Sequence, residues 1–163
     1  MIGGMFLNVI RGAVAGAAAT WVMDVVTIGM AASQPKSVTT KEEAAQPNGK
    51  SSVDNLIDLV TDKVGWTPDA AQREKLALGI HYGLGVAPGA GYALLRRYVP
   101  FLGTANGLVY GFLLWIVNDE YLATRLGIAG PPDAYPPETH LRGLVGHLAL
   151  GVTTDTTLDL LRA

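Results

Sequence analysis

The chain has 163 residues, enough for one domain, with 49% hydrophobic residues, 16% charged residues and a formal net charge of -2. Soluble domains are about 25% charged, whereas here the charges crowd between Lys36 and Lys75 or at the ends of apolar runs, a pattern that excludes the evenly charged outer faces of a soluble helical domain. The charge balance offers no basic surface for nucleic acid, and the absence of cysteine excludes disulfides, thiolate metal sites and thiol nucleophiles.

In chain order, the first apolar run is Gly12 to Ser33, 22 residues whose only charge is Asp24. That is close to the roughly 20 apolar residues a spanning helix needs. Ala31, Ala32 and Ser33 look like a cleavage region, but Arg11 is the only basic residue before the run and Asp24 interrupts it, so the segment reads as a retained anchor. Gln34 to Lys50 is polar, contains two prolines and reads as loop. Ser51 with Asp54 makes a capping-box pair, and Val53, Leu56, Ile57, Val60 and Val64 follow at spacings of three and four. This predicts a short amphipathic helix in the bilayer interface, with Trp66 beside it.

Thr67 is the expected N-cap of the next helix, with Pro68 in its first position. The second run, Leu76 to Leu95, is uncharged apart from His81, and Arg96 and Arg97 follow it. The third, Phe101 to Ala123, is uncharged as far as Asn118 and then carries Asp119 and Glu120. Gly130-Pro131-Pro132 and Pro136-Pro137 stiffen the connection to the fourth, Leu141 to Leu161, which contains Arg142, His147, Asp155 and Asp159 and must lean on its neighbours to insert. The expected fold is all-α: an integral membrane four-helix bundle with a short interfacial amphipathic helix in its first linker. It forms one domain, 1–163, with spans at about 12–33, 76–95, 101–123 and 141–161 and a polar linker at 34–74. Three spans plus an interfacial helix is the alternative. Arg11, Arg96, Arg97 and Arg162 favour a cytoplasmic location for both termini.

Gly12 and Gly16, Gly85 and Gly89, and Gly103, Gly107 and Gly111 repeat every four residues, a spacing that lets backbones approach in lipid. The same pattern serves dimerisation, so a homo-oligomer through the glycine faces is a second expectation, with the lipid bilayer as the first partner.

Counting along antiparallel spans puts Asp24, His81, Asp119 and His147 each roughly 8 to 12 Å from the same membrane face. On helical projection Asp119 faces inward with Gly107, Gly111 and Asn118, whereas Glu120 falls on the far side. His140, His147 and Asp155 share a stripe of the fourth span, but His140 and His147 are about 10 Å apart, too far to chelate one ion alone. The set His81, Asp119, His147, Asp155 and Asp24 suits a divalent metal ion, or equally a proton site. Structural pairing that fixes the bundle's register is the third possibility. No HExxH or GxSxG motif is present, so a serine or zincin intramembrane protease is disfavoured, and another intramembrane enzyme with a substrate cavity beside the histidines is a third option.

From His81 onward, His81, Gly91-Tyr92, Pro100, Gly107, Gly111, an ionisable residue at Asp119, Gly127, Pro131, Gly146-His147 and Asp155 follow a pattern that resembles the YagU-like family of bacterial inner-membrane proteins. The resemblance covers about half the chain and implies a multi-span inner-membrane protein of unknown biochemical activity. One member of that family carries a histidine where this chain has Asp119, Asp24 has no clear counterpart there, and the polar linker differs. The reading that follows is a small polytopic inner-membrane protein whose intramembrane His/carboxylate cluster binds a proton or divalent cation. The alternative is a structural or accessory protein whose glycine-rich faces mediate packing or oligomerisation.

Overall fold

A computed structural model describes residues 2–162 as helices and connections, with no strand among the described residues. Helix α1 is Ile2–Ala32, α2 Lys36–Ala45, α3 Ser52–Val64, α4 Ala70–Leu95, α5 Leu108–Trp115, α6 Ala123–Arg125 and α7 Pro137–Leu160. A π-helical segment, Ile116–Leu122, joins α5 to α6 without a break. The chain is all-α, as expected. Among the described residues, only α1, over Gly4–Ala32, is by itself long and apolar enough to cross a membrane, against the four such runs expected.

The long helices alternate in direction. Helix α1 packs along α4 on one side and α7 on the other, and α5 packs on the far side of α7. Glycines set the separations. A methyl group on Gly12 would lie 2.5 Å from the Gly89 carbonyl oxygen, one on Gly16 would overlap the Gly85 carbonyl, and one on Gly111 would overlap that of His147. Gly107 and Gly151 face each other in the same way. The four-residue glycine repeats are thus engaged within the chain, except that Gly103 stands apart with only the Tyr92 hydroxyl near it. At the end where α4 finishes and α5 begins, Tyr92 and Tyr110 stack with ring centres 4.2 Å apart. The core follows this seam: Ala15, Ala19, Tyr92, Ala93, Tyr110, Leu150 and Leu158 are buried together.

Four expectations need correcting. Residues 36–45 are helical rather than loop, because Lys41, Glu42, Glu43, Ala44 and Ala45 are strong helix formers and tertiary contacts hold the segment: Val38 is buried and Glu42 pairs with Arg142. Helix α4 is capped by Asp69 rather than Thr67. The Asp69 carboxylate accepts from the Gln72 amide N–H at 2.8 Å while the Gln72 side chain accepts from the Asp69 N–H at 2.9 Å, a complete capping box. The third helix starts at Leu108 instead of 101, because Ala105, Asn106 and Gly107 all have positive φ, which an α-helix does not admit. Finally, α3 presents Ile57 and Thr61 inward and leaves Val60, Val64 and Trp66 exposed, so the buried face is rotated from the apolar stripe.

The predicted Ser51 cap is present, accepting from the Asp54 N–H at 3.1 Å. Helix α3 is tied to the base of α4 by Arg73 on Asp58 at 2.7 Å, with Lys50 on the other carboxylate oxygen at 2.6 Å. The hydrogen bonds from Lys50 and Arg73 hold the Asp58 carboxyl below the usual carboxylate range.

Candidate functional site: three histidine–carboxylate pairs on one cavity

Because α1 and α4 run in opposite directions, the Gly16–Gly85 contact fixes their register, and His81, one turn along α4 from Gly85, reaches Asp24, two turns along α1 from Gly16. Its Nε2 lies 2.8 and 3.0 Å from the two Asp24 oxygens. On the other side of α1, Gly146 of α7 sits against Met23 and Thr27, the residues flanking Asp24, so His147 stands at the same level.

His147 is 7% exposed. Its Nδ1 donates to the Gly143 carbonyl at 3.0 Å and lies 3.5 Å from Asp119 Oδ2. A donor is required at Nδ1 because a carbonyl only accepts, which in the neutral ring leaves Nε2 as an acceptor. Gly143 makes room for the acid: a side chain there would meet Asp119 Oδ2 at 3.3 Å and the Trp115 indole nitrogen at 3.2 Å.

Glu120 was expected on the far side of its helix, yet its carboxylate binds His140 Nδ1 at 2.6 Å and is only 20% exposed. The π-helical hydrogen bonding of Ile116–Leu122 is the reason. Each wider turn takes an extra residue, so the projection drifts, and Asp119 and Glu120 both end up facing α7. Consecutive acids thereby serve two histidines seven residues apart. His140 also places Nε2 2.9 Å from the Pro132 carbonyl oxygen. Both its ring nitrogens face acceptors, the environment of an imidazolium. Burial alone would lower its pKa, but the Glu120 hydrogen bond and the Pro132 carbonyl outweigh it and hold His140 above its ordinary value.

A cavity of about 400 Å³ fills the space between α1, α4, α7 and the π-helical segment, and α3 covers one end with Val53 and Leu56. His81, Asp119, Glu120, His140 and His147 line it, among mostly apolar neighbours that include Met23, Leu84, Trp115 and Leu150. Asp155 is elsewhere. It lies two turns further along α7, where the Tyr92 hydroxyl donates to it at 2.6 Å and Arg96 at 2.8 Å, and Arg96 also reaches Asp159 at 2.7 Å.

The five residues expected to form one cluster therefore divide. Asp24 pairs with His81, Asp119 adjoins His147, and Asp155 belongs to a separate knot with Tyr92 and Arg96. Among the described residues no three His, Asp or Glu side chains converge as metal ligands. Sequence reasoning left out Glu120, His140 and Trp115 from the site, and Tyr92 and Arg96 as partners of Asp155. The depth count applied to α4 and α7 would have found Arg96, whereas the π-helical turn that brings in Glu120 carries no clear signal. No protein-family model matches the chain, and no curated protein or solved structure is significantly similar to it.

Proposed function

We propose that the chain is a small polytopic inner-membrane protein whose histidine–carboxylate pairs bind and exchange protons, two of them inside the bilayer and His140–Glu120 at its edge. The observation that carries the function is that all three histidines of these pairs, with Asp119 and Glu120, line one mostly apolar cavity. Histidine is the side chain whose ordinary pKa lies in the physiological range, and ionisable groups at membrane depth mark proton or ion paths more often than those in water. A metal ion would need a third ligand, and the paired geometry favours protons over a divalent cation.

The outer surface supports the bilayer as solvent. Phe6, Trp21 and Ile28 of α1 are 66%, 61% and 68% exposed, and Leu78, Phe112, Val117 and Leu141 continue the apolar exterior on the other long helices. An exposed apolar surface this extensive on a monomer normally meets lipid or another protein. At 1.5 Å per residue α1, α4 and α7 reach about 46, 39 and 36 Å, and Leu108 to Arg125 about 27 Å, against a hydrocarbon core of about 30 Å. The resemblance to the YagU-like proteins supports the inner membrane as the compartment. Arg11 donates to the Arg162 carbonyl, so both termini share an end with Arg96 and Arg97, which favours a cytoplasmic location for that end.

A second reading, in which the pairs only fix helix register, is favoured by the Asp155–Arg96–Tyr92 knot, which binds α4 to α7 away from the cavity. Titration of ¹⁵N-labelled histidines in lipid nanodiscs separates the two, using wild type and His147→Ala. Proton binding predicts imidazole signals that titrate in the wild type, with the Asp119-linked response lost in a still-folded variant. Loss of folded protein in the variant, or imidazoles silent across the pH range, would replace the proton site with structural pairing.

A further inference from the structure

The polar wall of the cavity is not fully matched. Glu120 is bonded to His140, and Glu42, which also lines the cavity, to Arg142. Asp119 has a weaker arrangement. Its one ion-pair partner, His147 Nδ1, is 3.5 Å away and already donates to the Gly143 carbonyl. On the same ring, Nε2 has no hydrogen-bond partner among the described residues, although the side chain is more than nine-tenths buried and lines the cavity. A carboxylate and an imidazole acceptor thus stand side by side in an apolar chamber, and both want a proton donor.

We propose that this cavity binds a lipophilic amine in its protonated form, its apolar body among Leu84, Met23, Trp115 and Leu150 and its ammonium between Asp119 and His147 Nε2. The proposal rests on the cavity being the protein's working site, as in the proton reading, and names its ligand. Three features select this class. The volume suits a compact molecule, since small-ligand pockets run from roughly 300 to 1,000 Å³. An ammonium carries both the charge that Asp119 lacks and N–H donors for His147, whereas a quaternary ammonium has the charge without the donors and an alcohol a donor without the charge. The Asp119 carboxylate, 44% exposed onto the cavity, also makes a stronger, charge-assisted hydrogen bond to a charge-bearing donor than to a neutral one. Entry from the lipid side, between the α1–α4 and α5–α7 pairs, belongs to the same proposal. A membrane-partitioned amine arrives there without crossing water.

Calorimetry on the purified protein in nanodiscs, corrected with empty nanodiscs, tests this with three probes of one shape: 1-adamantylamine, 1-adamantanol and trimethyl(1-adamantyl)ammonium. The amine should bind saturably, with both analogues at least tenfold weaker, and Asp119→Asn should weaken the amine at least tenfold. The probe series on wild type stands even if that variant fails to fold. No saturable amine binding, or equal affinity for amine and alcohol, would overturn the assignment. Histidine titration on the same sample keeps the two readings apart: imidazoles that titrate without amine binding sink the amine and leave the proton site, and imidazoles that stay silent while the amine binds do the reverse.

Discussion

Tyr92 and Tyr110 stack on each other, yet their hydroxyl groups have opposite fates. Tyr92 donates to Asp155 at 2.6 Å, while the buried Tyr110 oxygen has no partner among the described residues. A buried polar group left unpaired costs about 1–3 kcal/mol, whereas a made bond to a charged group contributes about 1.5–3 kcal/mol. Tyr110→Phe should therefore leave stability unchanged or raise it by up to about 1 kcal/mol, and Tyr92→Phe should lower it by about 1–2 kcal/mol. Denaturant melts of both variants in the same detergent would show whether the order is reversed. His140, one residue before the 141–161 stretch, gives a pH signature. Its pKa in the folded chain is raised above the ordinary 6.5, so its contribution to stability is fully present below that value and is lost as pH rises through the higher folded value. Thermal stability should fall between mildly acidic and mildly alkaline pH, and His140→Gln should flatten that slope. An unchanged slope would place the dependence on other groups.

At the level of the helices, glycine position separates two kinds of site. A methyl group at Gly111 or Gly85 would overlap the His147 carbonyl or the Thr20 hydroxyl, whereas Gly79 and Gly83 on the outer side of α4 would meet nothing within 4 Å. Gly111→Ala should cost about 3 kcal/mol or more, at or beyond the usual range for overpacking, and Gly79→Ala should gain up to about 1 kcal/mol from helix propensity. Circular-dichroism melts read both, and a tolerated Gly111→Ala would refute the close backbone approach. The glycine pairs were legible in sequence because spacing of four places them on one face whatever the partner is. Counting depth along the spans put Asp24, His81, Asp119 and His147 at one level but did not say which acid meets which histidine. Helical projection failed at Glu120, since it assumes 3.6 residues per turn and Ile116–Leu122 is π-helical. It failed again at Phe101–Gly107, where hydropathy continues smoothly while three left-handed residues end the helix. Helix α2 was missed for a different reason: its support comes from Arg142, a hundred residues away.

For the molecule as a whole, the absence of cysteine makes orientation directly measurable. Asn48→Cys lies in the connection between α2 and α3, and Tyr98→Cys in the turn between α4 and α5. With both termini cytoplasmic, a membrane-impermeant maleimide should label position 48 in spheroplasts and position 98 only after lysis. The reverse pattern would invert the topology, and equal labelling would end the spanning reading. The distribution of close contacts has a mechanical consequence. Backbone-to-backbone glycine contacts and the tyrosine stack hold the Arg96 end, while the space between α4 and the π-helical segment at the other end is the cavity. Tyr92 is therefore the fulcrum and His81 the tip of a lever about 16 Å long. A tilt of about 10° at that fulcrum moves the tip by roughly 3 Å, about one hydrogen-bond length, and carries Gly85, seven residues along, roughly 2 Å away from Gly16, so parting His81 from Asp24 in this way also opens the near end of the glycine seam.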